Sequence, residues 1–220
     1  MKFPICILLL ATAAIAQEPT GVPYSAQQVT EHVQTLSDGT HITQTPQKTN
    51  VYRDAQGRSR TERLFGPATA TERITSIEIS DAVAGVRYTL EPDAHIARQM
   101  TLPKSATAGA TTEVAVAQSK TGNPQISQDS LGTQTIEGVL AQGTRTTTVY
   151  PTGVFGNDRP VTVTSERWVS PELHTTILLK ISDPRTGEST TRLTNISRSE
   201  PEASLFRVPA GYDTKSLARR

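Results

Sequence analysis

The sequence predicts a mostly β protein of about ten strands, nearly all antiparallel, with little helix. Three observations carry this. Threonine and serine are abundant and Ala-Leu-Glu-Lys runs are absent, a composition that suits extended backbone. Turn residues recur at short intervals, and strands joined by short loops must pair antiparallel. The stretch "VRYTLEP" alternates strictly: Val86, Tyr88 and Leu90 point one way, Arg87, Thr89 and Glu91 the other.

The elements follow in order. "AQQVTEHVQTL" is a first strand closed by "SDGT", where Gly39 takes positive φ at no steric cost. "HITQTPQKTNVYRD" is the second, with Pro46 marking an edge or a bulge because it has no N–H to donate. After the "DAQG" turn comes "RSRTERLF", so a three-strand meander occupies the first 65 residues. A loop over 66–73 leads into "ITSIEISD", "VRYTLEP" and "IARQMTL", the clearest hairpin block, with one wet and one dry face. Residues 103–130 lose almost all large apolar side chains and read as a flexible flap or linker. Strands resume in "LGTQTIEGVLAQGTRTTTVYP", broken by Gly138 and Gly143. "VTVTSERWVS" carries the single tryptophan. In "HTTILLKISD", Ile177, Leu179 and Ile181 alternate with Leu178 and Lys180, placing Leu178 toward a second apolar layer. "DPRTGE" is a hairpin loop and "STTRLTNISRSEP" the last long strand. In "PEASLFRVPAGY", Pro201 stops pairing, "EASL" makes one helical turn, and Leu205, Phe206 and Val208 fold back under the sheet.

The N-terminus reads as a secretory signal. Lys2 is its positive start, Ile5 to Ala16 its apolar run, and Ala14-Ile15-Ala16 its cleavage site, so residues 1–16 are expected to be removed and 17–220 to form a single domain. The run is too short for a bilayer, which takes ~20 residues. Cys6 leaves with it, and the mature chain holds itself together without disulfides, which suits a bacterial periplasm or export from one. Removing Lys2 takes the formal charge from +1 to 0. A mixed-sign surface argues against nucleic acid, which needs clustered cations. No second apolar run suggests a transmembrane segment.

Catalytic constellations are not evident. No G-x-S-x-G precedes a helix, and "GESTT" lies in a hairpin. His32, His41, His95 and His174 lack metal-ligand spacing, and pairing across "SDGT" keeps His32 from His41. Glu166, Glu172 and Glu188 sit among arginines and threonines on a wet face, where surface ion pairing is the plainer account. Arg53, Arg58, Arg60, Arg63 and Arg73, interleaved with acids, read as a solvated hairpin before an anion site. Trp168 and Tyr88 either line a ligand cavity or pack a core. Neither enzyme activity, metal nor cofactor is expected.

The run of "YRDAQGRSRTER", "IEISDAVAGVRYTLEPDAHIARQM", "LGTQTIEGVLAQGTRTT", "ERWVSPEL" and "SLFRVPAGY" resembles uncharacterised secreted bacterial proteins. More distantly it is similar to the periplasmic lipoprotein-carrier superfamily, the LolA, LolB and RseB type. The resemblance implies a curved antiparallel sheet forming an unclosed half-barrel with an apolar concave face. It suggests a secreted or periplasmic binding module holding a lipid-like or acylated ligand on Ile77, Ile79, Val86, Tyr88, Leu90, Trp168, Ile177 and Leu179. The other reading is a structural or interaction protein of the envelope with a filled core and an envelope protein as partner. The two differ in whether an apolar pocket of ~300–1,000 Å³ survives core packing. The sequence leaves oligomeric state open.

Overall fold

The computed structural model describes residues 21–36, 38–66, 72–102 and 122–216. The segment expected to be a secretory signal lies outside the described residues, as do residues 103–121 of the expected flap.

Among the described residues thirteen strands form one sheet. The N-terminal half supplies β1 (Tyr24–Thr35), β2 (His41–Thr43), β3 (Gln47–Arg53), β4 (Ser59–Phe65), β5 (Arg73–Asp81), β6 (Val86–Glu91) and β7 (Ile96–Thr101). The C-terminal half supplies β8 (Gln125–Ile136), β9 (Val139–Tyr150), β10 (Val161–Ser170), β11 (Thr175–Asp183), β12 (Gly187–Ser197) and β13 (Asp213–Ser216). The strand order is β13-β7-β6-β5-β4-β3-β1-β12-β11-β10-β9-β8, with β2 pairing β1. The end strands β13 and β8 do not meet, so the curved sheet is unclosed.

The strands depart from the expected set in three places, with separate causes. Pro46 splits the second strand into β2 and β3, both of which pair β1. The expected linker ends early: Gln125–Ser130 are the first half of β8, held by the long β9. A weak strand former at Asp213–Ser216 is fixed only by pairing with β7. That last pair is parallel, the exception in an otherwise antiparallel sheet. It arises because the chain leaves β12 at the centre and crosses the sheet to reach the far edge.

Gly143 does not break a strand: β9 runs through it. The Trp168 ring occupies its missing side-chain space, and a Cβ there would lie 2.7 Å from the ring. At the β8–β9 turn, Glu137 and Gly138 both adopt positive φ, as a tight two-residue hairpin demands.

Among the described residues the buried apolar side chains, Phe206 aside, form two separate clusters. One joins Tyr24, Ala26, Val139, Ala141, Trp168, Leu173, Ile177 and Leu193, with Leu178 packed against it. The other joins Ile77, Ile79, Leu90 and Ala97 under Tyr88, Val208 and Tyr212. A bulge explains the first. Trp168 pairs Leu178 while Val169 pairs Thr176, so Ile177 is an extra residue and the strict alternation of β11 fails there. Leu178 therefore joins the same cluster as Ile177, rather than a second layer, and Ile181 is exposed.

The C-terminal segment behaves as expected. Ala203–Phe206 form a 3-10 turn, Phe206 is 3% exposed, and Val208 and Tyr212 cover the second cluster. Arg58 stacks on the Phe206 ring, its guanidinium 5.1 Å from the centroid, and Arg60 Nη1 donates to the Leu205 carbonyl at 2.9 Å.

Candidate binding groove

Within unbroken antiparallel register, directly opposite residues share a face. Two rows therefore cross the sheet on the face of the second cluster. One runs Ala97, Leu90, Ile77, Glu62, Asn50, Gln27; the other runs Gln99, Tyr88, Ile79, Arg60, Tyr52, Ser25. The apolar end gives way at β4 to a polar ladder. Gln27 donates to Asn50 at 3.3 Å and Asn50 to Glu62 Oε2 at 3.1 Å. Arg60 Nε donates to Glu62 Oε1 at 2.7 Å, with both residues buried. Tyr52 leans its hydroxyl toward the same carboxylate, and burial, then the Glu62 charge, push its pKa above the usual phenol value. A buried ion pair is tolerated only with its remaining donors and acceptors occupied, and here the ladder and the Leu205 carbonyl occupy them.

This arrangement divides the eight expected ligand residues. Ile77, Ile79, Tyr88 and Leu90 lie in one cluster, Trp168 and Ile177 in the other, and Val86 and Leu179 in neither. Ile79, Leu90 and Ile177 have no exposed surface. No continuous apolar face joins them.

The hollows of the surface lie elsewhere. One of about 210 Å³ is lined by Thr164, Glu166, Lys180, Ser182 and Glu188, with Glu166 held by Arg145 at 2.6 Å. Another of about 180 Å³ borders the Asp183–Gly187 hairpin. The largest of these three, about 540 Å³, is built on β1, β3 and β4. Its floor is the row Gln28, Thr49, Arg63, opposite one another in register, with Thr30 and Gln47 in the next row. One wall is Thr45 and Pro46 between β2 and β3; the other is Phe65, Gly66 and Glu72, where β4 gives way to β5. Thr75 is an extra residue at a bulge, and its hydroxyl donates to the Arg63 carbonyl at 3.2 Å. Phe65 is 69% exposed.

The five arginines singled out in the sequence separate by what they touch. Arg53 stacks on Tyr24 at 4.7 Å and donates to the carbonyls of Val22 and Leu173. Arg58 pairs with Asp54, Arg60 with Glu62, and Arg73 with Asp93. The Arg63 guanidinium has no hydrogen bond or ion pair among the described residues. Sequence reasoning did not separate Arg63 from the other four and passed over Phe65, because nothing in "TERLF" marks which of several arginines is left unpaired. Among the described residues no three His, Cys, Asp or Glu side chains are placed to hold a metal ion, and no helix is long and apolar enough to cross a membrane.

No family model and no curated protein matches the chain. Solved structures similar to it include an uncharacterized conserved protein from Thermus thermophilus, at 9% identity over 90% of this chain and 91% of that one, TM-score 0.48. MucB in the MucA/MucB complex of Pseudomonas aeruginosa is similar at 10% identity over 89% of this chain and 59% of that one, TM-score 0.48. A LolA superfamily protein from Nitrosomonas europaea is similar at 12% identity over 86% and 91%, TM-score 0.35. These likenesses assign no site, ligand or partner to this chain.

Proposed function

We propose that this chain is a non-enzymatic binding module of the bacterial envelope or exterior, and that what it engages is a protein partner rather than an acyl chain. One observation carries the choice: among the described residues every buried apolar side chain except Phe206 sits in one of two clusters, while the largest of the three hollows has a floor of Gln28, Thr30, Thr49 and Arg63. Acyl chains need apolar walls. A site lined by amides, hydroxyls and a cation favours a ligand that brings hydrogen-bonding groups of its own. The predicted secretory signal supports the location. Native mass spectrometry of the chain purified from a periplasmic extract tests the reading. The expected spectrum holds the polypeptide mass alone, with no displacement signal from a fluorescent fatty-acid probe. A lipid co-purifying at one per chain would overturn it.

A further inference from the structure

We infer that the 540 Å³ groove takes an extended peptide segment that offers a carboxylate to Arg63 and an apolar side chain to Phe65, an assignment that rests on the protein-partner reading above.

The charges decide the first half. Among the described residues three charged side chains line the groove: Lys48, Glu72 and Arg63. Lys48 Nζ and Glu72 Oε1 neutralise each other at 2.8 Å. Arg63 alone is uncompensated among the described residues, and its guanidinium fork matches a carboxylate in geometry as well as sign. The second half follows from Phe65, a ring 69% exposed beside Leu64 and across from Pro46, which gives the groove one apolar end.

The rest of the lining selects peptide over other anions with an apolar part. Gln28, Gln47, Thr30, Thr49 and Thr75 mix donors and acceptors, as a main chain does. Thr45 and Gly66, one in each wall, lie outside the ladder, and their main-chain N–H and C=O groups have no partner among the described residues. An extended segment can bond to such groups while alternate side chains reach the cation and the ring. A fatty acid satisfies Arg63 but offers no partners to the hydroxyls and main-chain groups, which a peptide does.

The test uses the full mature chain on an immobilised array of random octapeptides, with Arg63→Glu and Phe65→Ser alongside. Both positions are exposed, and unchanged thermal melts would verify that the variants fold. Retained peptides are expected to be enriched in an Asp or Glu close to an apolar residue. Loss of a charge-assisted contact corresponds to roughly a 10- to 100-fold weakening for Arg63→Glu. Phe65→Ser should lose the apolar preference and keep the acidic one. Retention without acidic bias, or equal retention by Arg63→Glu, would overturn the groove assignment and leave the protein-partner reading intact. An array with no retained peptide would also overturn it. Binding of fatty-acid probe or anionic vesicles in place of peptides would bring down both.

Discussion

Replacing Phe206 by alanine asks whether the C-terminal crossing holds the sheet. The ring is 3% exposed, sits under Arg58, and belongs to a 3-10 turn whose Leu205 carbonyl receives Arg60. Removing a buried Phe costs about 3–5 kcal/mol through lost transfer energy and the cavity left behind. Loss of the cation–π contact adds roughly 0.5–1 kcal/mol. The sum, about 3–6 kcal/mol, is a large share of a net stability on the order of 5–15 kcal/mol. For a domain of this size each kcal/mol moves the melting temperature by ~2–4 °C, so Phe206→Ala should melt roughly 6–24 °C lower. Circular dichroism melts and urea titrations read this directly, with the urea midpoint falling at constant slope. Val83→Ala, at a side chain 73% exposed, serves as the control and should not move. A drop of under about 2 °C for Phe206→Ala would refute the claim that the crossing segment is part of the core.

Gly143→Ala should destabilise by about 1–3 kcal/mol, because the new methyl meets the Trp168 ring at 2.7 Å, and the shift should show in the fluorescence of the single tryptophan. Glu62→Ala leaves the Arg60 charge buried and should cost roughly 3–5 kcal/mol, read from the urea midpoint, whereas Arg60→Met with Glu62→Leu should recover most of it. Recovery should fall short of complete, since Asn50 still lacks its acceptor. Asp183 has its pKa lowered from the usual 3.8, first by the side-chain hydrogen bond from Arg185. Its contribution is therefore full above 3.8 and lost as pH falls through the depressed value, and Asp183→Asn should flatten that part of an acid-unfolding curve. An unaltered acid limb would show the Asp183–Arg185 pair to be energetically idle.

Much of the fold was legible because the local signals were strong. The β5–β6–β7 block followed from alternation in "VRYTLEP", and its register pairs Ile79 with Tyr88 and Ile77 with Leu90 on the dry face as the pattern requires. The turns at Gly39 and Gly57 follow from the conformations glycine permits, and Phe206 from a lone ring in a proline-flanked segment. The failures are equally physical. β13 has no intrinsic strand signal and exists through its neighbour. Ile177 and Leu178 defeat alternation because a bulge adds one residue to β11.

Sequence alone determined the mostly antiparallel sheet and the inward set of β5 and β6, since side-chain period and turn chemistry act over a few residues. Only the tertiary structure decided that the buried apolar residues divide into two clusters, and that a buried Arg60–Glu62 pair continues the rows of the second. It alone also left Arg63 as the one arginine of the five without a partner among the described residues, beside an exposed Phe65. Ion pairing and burial depend on which distant strands are neighbours. β1 lies between β3 and β12 only once the whole sheet has formed.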